Sequence, residues 1–211
     1  MQTLTPSDIL NIFIEQHRLC SPLDPEADPS AVLSFNSTID DWREANDLLP
    51  WKELSIFLNQ EFNISPSEEE WKSVLVPSSI RTLKDLCELI SKHSKHDQIK
   101  PKKLLGQECL SSAVFLTLKK YLERRHVDVS DLRPSSLLAP YFEKYFSEMV
   151  EQTTIIAKGN PVFDKFDTKI KKPGLLNYIN IFAKNRHEFV TGNIKTFKDL
   201  TLKIMEVNRL Q

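Results

Sequence analysis

A chain of 211 residues, 40% hydrophobic and 27% charged, is long enough to bury a sizeable core as one large domain or two small ones. Its 28 basic and 29 acidic side chains nearly cancel, which removes any global pull toward nucleic acid or anionic lipid. Only four glycines occur against twelve prolines, and this argues against glycine-rich phosphate loops and hairpin-rich β structure.

In chain order, Thr5-Pro6-Ser7-Asp8 predicts the first helix start, with an acceptor at the N-cap, proline at the first helical position and an acid at the third. Asp8 falls where a secretory signal would need an apolar residue, and no apolar run approaches the ~20 residues that span a bilayer. Cys20, Cys87 and Cys109 are odd in number and form no CxxC pair, so free thiols in a reducing compartment are expected. A cytoplasmic protein with no membrane segment is the expectation. Further helices fit Ile39–Leu48 and Trp51–Phe62, separated by Pro50. Ser65-Pro66-Ser67-Glu68 reads as a capping box before EEWKSVL, and Thr82-Leu83-Lys84-Asp85 opens LKDLCELISKH. The polar, basic stretch Ser91–Lys103 reads as a linker.

Beyond it, CLSSAVFLTLKKYLERR places Leu110, Val114, Leu118, Tyr121 and Leu122 on one helical face. SLLAPYFEKYFSEMVEQ repeats apolar pairs every fourth residue through Tyr141/Phe142 and Tyr145/Phe146, with Glu143, Lys144, Ser147, Glu148 and Glu151 opposite them. Gly159 supplies a helix stop, and the segment 160–174 is the least helical part, a loop or short hairpin. Thr196-Phe197-Lys198-Asp199 opens the last helix. The expected fold is therefore all-α, in two helical modules over residues 1–94 and 104–211.

Candidate chemistry is thin. His93, His96 and Asp97 share a helical spacing suited to a metal, but nothing supplies the remaining ligands, so no metal site is expected. Cys109 sits at a helix start, where the macrodipole lowers a thiol pKa; a small buried apolar cysteine is the commoner reading. Asp40, Asp41, Glu44 and Asp47 read as a solvated helix face. The clusters Lys100/Lys102/Lys103, Lys119/Lys120/Arg124/Arg125 and Lys169/Lys171/Lys172 are balanced by nearby acids, so nucleic-acid binding is not expected. No catalytic constellation and no cofactor site are found. Trp42 and Trp51 flank Pro50 and, with Trp71, suit a core; if exposed they would be partner anchors. The stripe Tyr141, Phe142, Tyr145 and Phe146 suits a core too, or the wall of a groove for an apolar ligand or partner helix.

IRTLKDLCELI (80–90) and IKTFKDLTLKI (194–204) match at six positions and each closes one half of the chain, through duplication or through shared helix grammar. The pattern resembles the last helix of acyl and peptidyl carrier proteins. Upstream, LSIFLNQEFNISPSEEEWKSVLVPSSIRTLKDLCELI is similar to that family's second, third and last helices, and FLTLKKYLERRHVDVSDLRPSSLL resembles its first helix and following loop. The resemblance implies a small helical bundle that carries phosphopantetheine on the serine of an Asp-Ser-Leu triplet. Here the triplet is Asp47-Leu48-Leu49, which offers no hydroxyl. Ser147 is the nearest substitute in the second half, expected mid-helix, and another register puts Cys109 in the serine position. The expectation is a non-catalytic helical interaction protein with a protein partner and no prosthetic group. The alternatives are an active carrier with a displaced attachment residue and a binder of small apolar ligands.

Overall fold

Five helices start on the same local chemistry. Thr5, Thr38, Ser67, Thr82 and Thr196 each accept a hydrogen bond from the third amide of the helix they precede, and an Asp or Glu at that third position accepts from the cap's own amide. Each box satisfies two amides left without partners at a helix end, and each cap contributes ~1 kcal/mol. The structure, a computed structural model, describes residues 3–95, 99–104, 107–170 and 187–209. Among these, α1 spans Pro6–Cys20, α2 Ile39–Ala45, α3 Trp51–Phe62, α4 Glu68–Leu75 and α5 Leu83–His93. The second half contains α6 Leu110–Arg124, α7 Ala139–Lys144, α8 Phe146–Ile156 and α9 Phe197–Val207. The fold is all-α in class. Two short antiparallel strand pairs decorate it, β1 (Lys102–Leu104) with β2 (Gln107–Cys109) and β3 (Asp167–Ile170) with β4 (His187–Val190).

Several expectations need correction. The cap of α4 is Ser67 with Glu70, not Ser65 with Glu68, because Ser67 is the residue whose hydroxyl reaches the third helical amide. Helix α2 stops at Ala45, and Asp47 takes a left-handed φ of 47° before Pro50. The linker begins later than Ser91: α5 runs to His93, Ser91 donates to the carbonyl of Leu4, and Ser94 is buried. The aromatic segment is not one helix. It breaks at Tyr145 (φ −135°, ψ 46°), so α7 ends and α8 begins within one residue. Of the segment 160–174, residues 171–174 lie outside the described residues, as do His96 and Asp97.

The two halves repeat one backbone clip. Ile39 N–H donates to Arg81 O (2.8 Å), Leu83 N–H to Ser37 O (2.9 Å) and Lys84 N–H to Phe35 O (3.1 Å). In the second half Leu138 N–H donates to Lys195 O (2.9 Å), Phe197 N–H to Ser136 O (3.1 Å) and Lys198 N–H to Pro134 O (2.7 Å). Isolated bridges Thr38↔Thr82 and Leu137↔Thr196 sit at the same places. Upstream, Asp28 accepts from the amide and hydroxyl of Ser30, as Asp128 does from Ser130. Past the ends of α3 and α8, Asn63 and Lys158 both turn left-handed, with φ of 51° and 53°.

One apolar core runs through both halves, from Ile9, Phe13 and Trp71 to Phe142, Phe197 and Ile204. At its centre α8 packs against α1, α3, α6 and α7. Gly159 makes the closest approach. With φ at 73°, it lies so near α1 that a Cβ there would come within 2.2 Å of the carbonyl carbon of Asn11. Only glycine combines that conformation with that contact.

Candidate functional site

Where α1, α3, α6 and α8 meet, the apolar core is interrupted by charge. Glu61, in the last turn of α3, is 3% exposed, and Glu151, in the middle of α8, is 4% exposed. Glu61 belongs to the buried side of α3 with Leu54, Leu58 and Phe62, and Glu151 is carried inward because α8 packs against four other helices. In α8 every residue from Met149 to Ile156 is buried, including Gln152, Thr153 and Thr154.

The partners come from all four helices. Gln16 of α1 donates through Nε2 to Glu61 Oε1 (2.6 Å) and to Thr154 Oγ1 (3.1 Å). Gln152 of α8 donates to the carbonyl of Glu61 (3.4 Å). Arg125, at the end of α6, brings Nη2 to 2.8 Å from Glu151 Oε2 and donates through Nη1 to Gln60 Oε1 (3.1 Å). The Arg125–Glu151 contact is an ion pair, and Arg125 Nε and Glu151 Oε1 are buried without a hydrogen-bond partner. The guanidinium also lies 5.7 Å from the centre of the Phe57 ring.

Two carboxyls and one guanidinium cannot all be charged here at low cost. Burial pushes the carboxyl of Glu61 up from 4.5 to about 8, helped by the charge of Glu151 and opposed by Gln16 and Arg125. Burial likewise raises Glu151 to about 7, with Arg125 pulling it down and Glu148 pushing it up. The pair therefore retains a proton at neutral pH, and its titration belongs to both groups together. Burial, and then the charges of Glu151 and Glu61, drive the Cys20 thiol up to about 12, which keeps it in the neutral, unreactive form. The cleft beside this cluster, lined by Gln60, Glu61, Asn63, Arg124, Arg125 and Gln152, has a volume of about 20 Å³. Small-molecule pockets measure ~300 Å³ and upward. What the arrangement can do chemically is hold and release protons, not enclose a substrate.

The residues singled out from sequence fall elsewhere. Trp42 is buried with its ring 4.7 Å from that of Phe13, and Phe142 is fully buried, so both are core residues and neither forms part of a surface. Phe142, Phe146, Phe163 and Phe166 form a ring cluster with centroid spacings between 5.0 and 6.1 Å, and Phe163 and Phe166 fill the groove that the stripe would have lined. Tyr141 is half-buried edge-on to Phe197, and Tyr145 is half-buried with its hydroxyl accepting from the amide of Asp128. Trp51 is half-buried, with Lys52 Nζ 5.6 Å from its ring centre. Ser147 is exposed and stands in the first turn of α8, not mid-helix, because the break at Tyr145 starts a new helix beside it.

Cys109 caps α6, and hydrogen bonds from Ser111 and Ser112 lower its thiol to about 7. His93 contacts Glu70 at 3.0 Å, and among the described residues no group of three or more His, Cys, Asp and Glu is placed to hold a metal. No described helix is long and apolar enough to cross a membrane. Of the basic cluster Lys119/Lys120/Arg124/Arg125, Arg125 turns inward with its side chain 10% exposed beside Glu151, while Arg124 lies 5.1 Å from the Tyr121 ring centre.

Sequence reasoning missed Glu61, Glu151, Arg125 and Gln16. The available signal was VEQTTII, where four consecutive polar residues take in a full turn of the helix between apolar ones, so the polar side is not a separate charged face. Comparison with protein-family models, with curated proteins and with solved structures finds no match to this chain.

Proposed function

We infer that this chain is a non-catalytic interaction protein made of two carrier-like helical halves, and that the first half presents α3 to a protein partner. The observation that carries the reading is the repeated clip. In each half the loop before the second helix is tied to the cap of the last helix by the same three backbone hydrogen bonds. That repetition supports descent of both halves from one helical unit, and IRTLKDLCELI and IKTFKDLTLKI supply the cap in each.

In the carrier resemblance α3 is the recognition helix. Its outer face exposes Lys52, Glu53, Ile56 and Gln60, and Leu49 precedes it in solvent. Its first turn, Trp51-Lys52-Glu53, carries no hydroxyl, and Ser55 is buried and donates to the carbonyl of Lys52. A phosphopantetheine ester has no acceptor there.

A second reading is favoured by Ser147, whose exposed hydroxyl stands at the start of α8. Phe146 and Glu148 flank it where carriers have Asp and Leu. Incubation with coenzyme A and a broad-specificity phosphopantetheinyl transferase separates the two readings by intact mass. The expected result is an unchanged mass, together with capture of one discrete protein by a photo-crosslinker at position 56. Gain of one phosphopantetheine, lost in Ser147→Ala, would replace the interaction reading with an active carrier.

A further inference from the structure

We propose that the seam between the halves is a proton-dependent lock: Glu61 of α3 and Glu151 of α8, buried around the single guanidinium of Arg125, hold the seam shut while they share a proton and loosen it when both are ionised. The inference rests on the geometry of the seam and is independent of any partner.

At the seam α8 packs against α1 and α3 of the first half and against α6 and α7 of the second. Two of the donors that cross between the halves are themselves held by the carboxyls: Gln16, bonded to Glu61, also donates to Thr154, and Arg125, paired with Glu151, also donates to Gln60. Gln152 donates to the carbonyl of Glu61, and Arg18 to the carbonyls of Phe163 and Asp164. The other ionisable groups facing the pair are Cys20 on α1, Tyr121 and Arg124 on α6, Glu148 on α8 and Lys95 after α5. Of these Cys20 stays neutral, and Glu148 adds negative charge that opposes a second ionisation. Arg125 can neutralise one carboxylate in contact with it. No ion pair to Glu61 is formed among the described residues, so a second negative charge is most cheaply relieved by admitting water between the halves.

The sign follows from the direction of the shifts. Both carboxyls are raised from 4.5 in the closed state, so closing takes up a proton that the open, hydrated state releases. Closure is fully favoured below about 4.5, weakens as pH rises, and stops weakening above the closed-state values of about 7 and about 8.

The test is hydrogen–deuterium exchange on the full chain at pH 6 and pH 8, with rates expressed as protection relative to the intrinsic rate at each pH. Two carboxyls that lose their protons at about 7 and about 8 when closed, and near 4.5 when open, make protection in α8 fall by more than about a hundredfold between these pH values, most steeply at the lower end. Glu61→Gln keeps the acceptor for Gln16 and cannot ionise; it is expected to match the native protein at pH 6 and to lose most of the fall. Arg125→Gln is expected to raise the closed-state carboxyl values further and displace the fall to higher pH. A full hundredfold fall in Glu61→Gln, or no fall in the native chain, would overturn the lock. Equal loss in α5, α8 and α9 would also overturn it, by assigning the effect to global unfolding, whereas protection kept in α5 and α9 supports opening at the seam.

Discussion

Helices α3 and α8 occupy corresponding places in the two halves, each followed by a left-handed residue and each lying upstream of a last helix that a Thr-x-x-Asp box opens. Their surroundings differ completely. From Trp51 to Phe62, α3 buries one side through Leu54, Leu58 and Phe62 and leaves Lys52, Glu53, Ile56 and Gln60 in solvent. In α8 the counterpart of that wet side is covered by α1, and Met149 through Ile156 are all buried. Composition explains how α8 tolerates this. Thr154 returns its hydroxyl to the carbonyl of Val150 (2.9 Å), Gln152 finds Glu61, and Glu151 is met by Arg125. Most of the polar groups of this covered helix are thus bonded, paired or protonated, while the hydroxyl of Thr153 is buried without a hydrogen-bond partner.

The largest effect that would break this comparison is expected at Gly159. Gly159→Ala places a Cβ against the backbone of α1 at a left-handed φ, which flexible side chains cannot relieve. A loss of more than ~3 kcal/mol is expected in urea unfolding. Asn63→Ala, at the left-handed residue that ends α3, meets only the conformational cost, ~1–2 kcal/mol. Similar losses at the two sites would mean that α1 does not press on the end of α8.

Removing the repeated caps should have a smaller and symmetrical effect. Thr82→Ala and Thr196→Ala each delete a hydroxyl that accepts the third helical amide, at 3.4 and 3.2 Å, and each should cost ~1 kcal/mol and lower Tm by a few degrees. A cost confined to one of them would show that the clip is structural in one half only.

The smallest effect is expected on the wet side of α3. Ile56→Lys should change stability by no more than ~0.5 kcal/mol, because the side chain is 58% exposed. Ile155→Lys, in the buried stretch of α8, should leave little folded protein at all. A destabilised Ile56→Lys would place that face against a neighbour and erase the contrast.

Local chemistry made most of the fold legible. A capping box spans four residues and needs no tertiary partner, so Thr5, Thr82 and Thr196 announce their helices directly. The box at Thr38 was equally legible in Thr38-Ile39-Asp40-Asp41, but the aspartates read as a charged face and hid it. The break at Tyr145 left no trace, because apolar pairs keep a spacing of four straight through it. The buried carboxyls were illegible for a different reason. Glu151 lies opposite an aromatic stripe and reads as solvated, and only the arrival of α1, far away in sequence, reverses that reading. Periodicity reports which side of a helix faces its own neighbours. It is silent about a second layer laid over the other side.

The contact of Gly159 with Asn11 also sets an order of events during synthesis. The two residues are 148 positions apart, so α1 leaves the ribosome long before the helix end that will cover it. At ~5–20 residues per second the interval is about 7–30 s. Through that time the first half can close its own clip at Ser37 and Arg81, while Gln16 and Glu61 face water in place of α8. In water Glu61 is an ordinary ionised glutamate, and it acquires its proton only when the second half docks. The nascent chain thus keeps a charged, soluble face where the finished protein has a dry one.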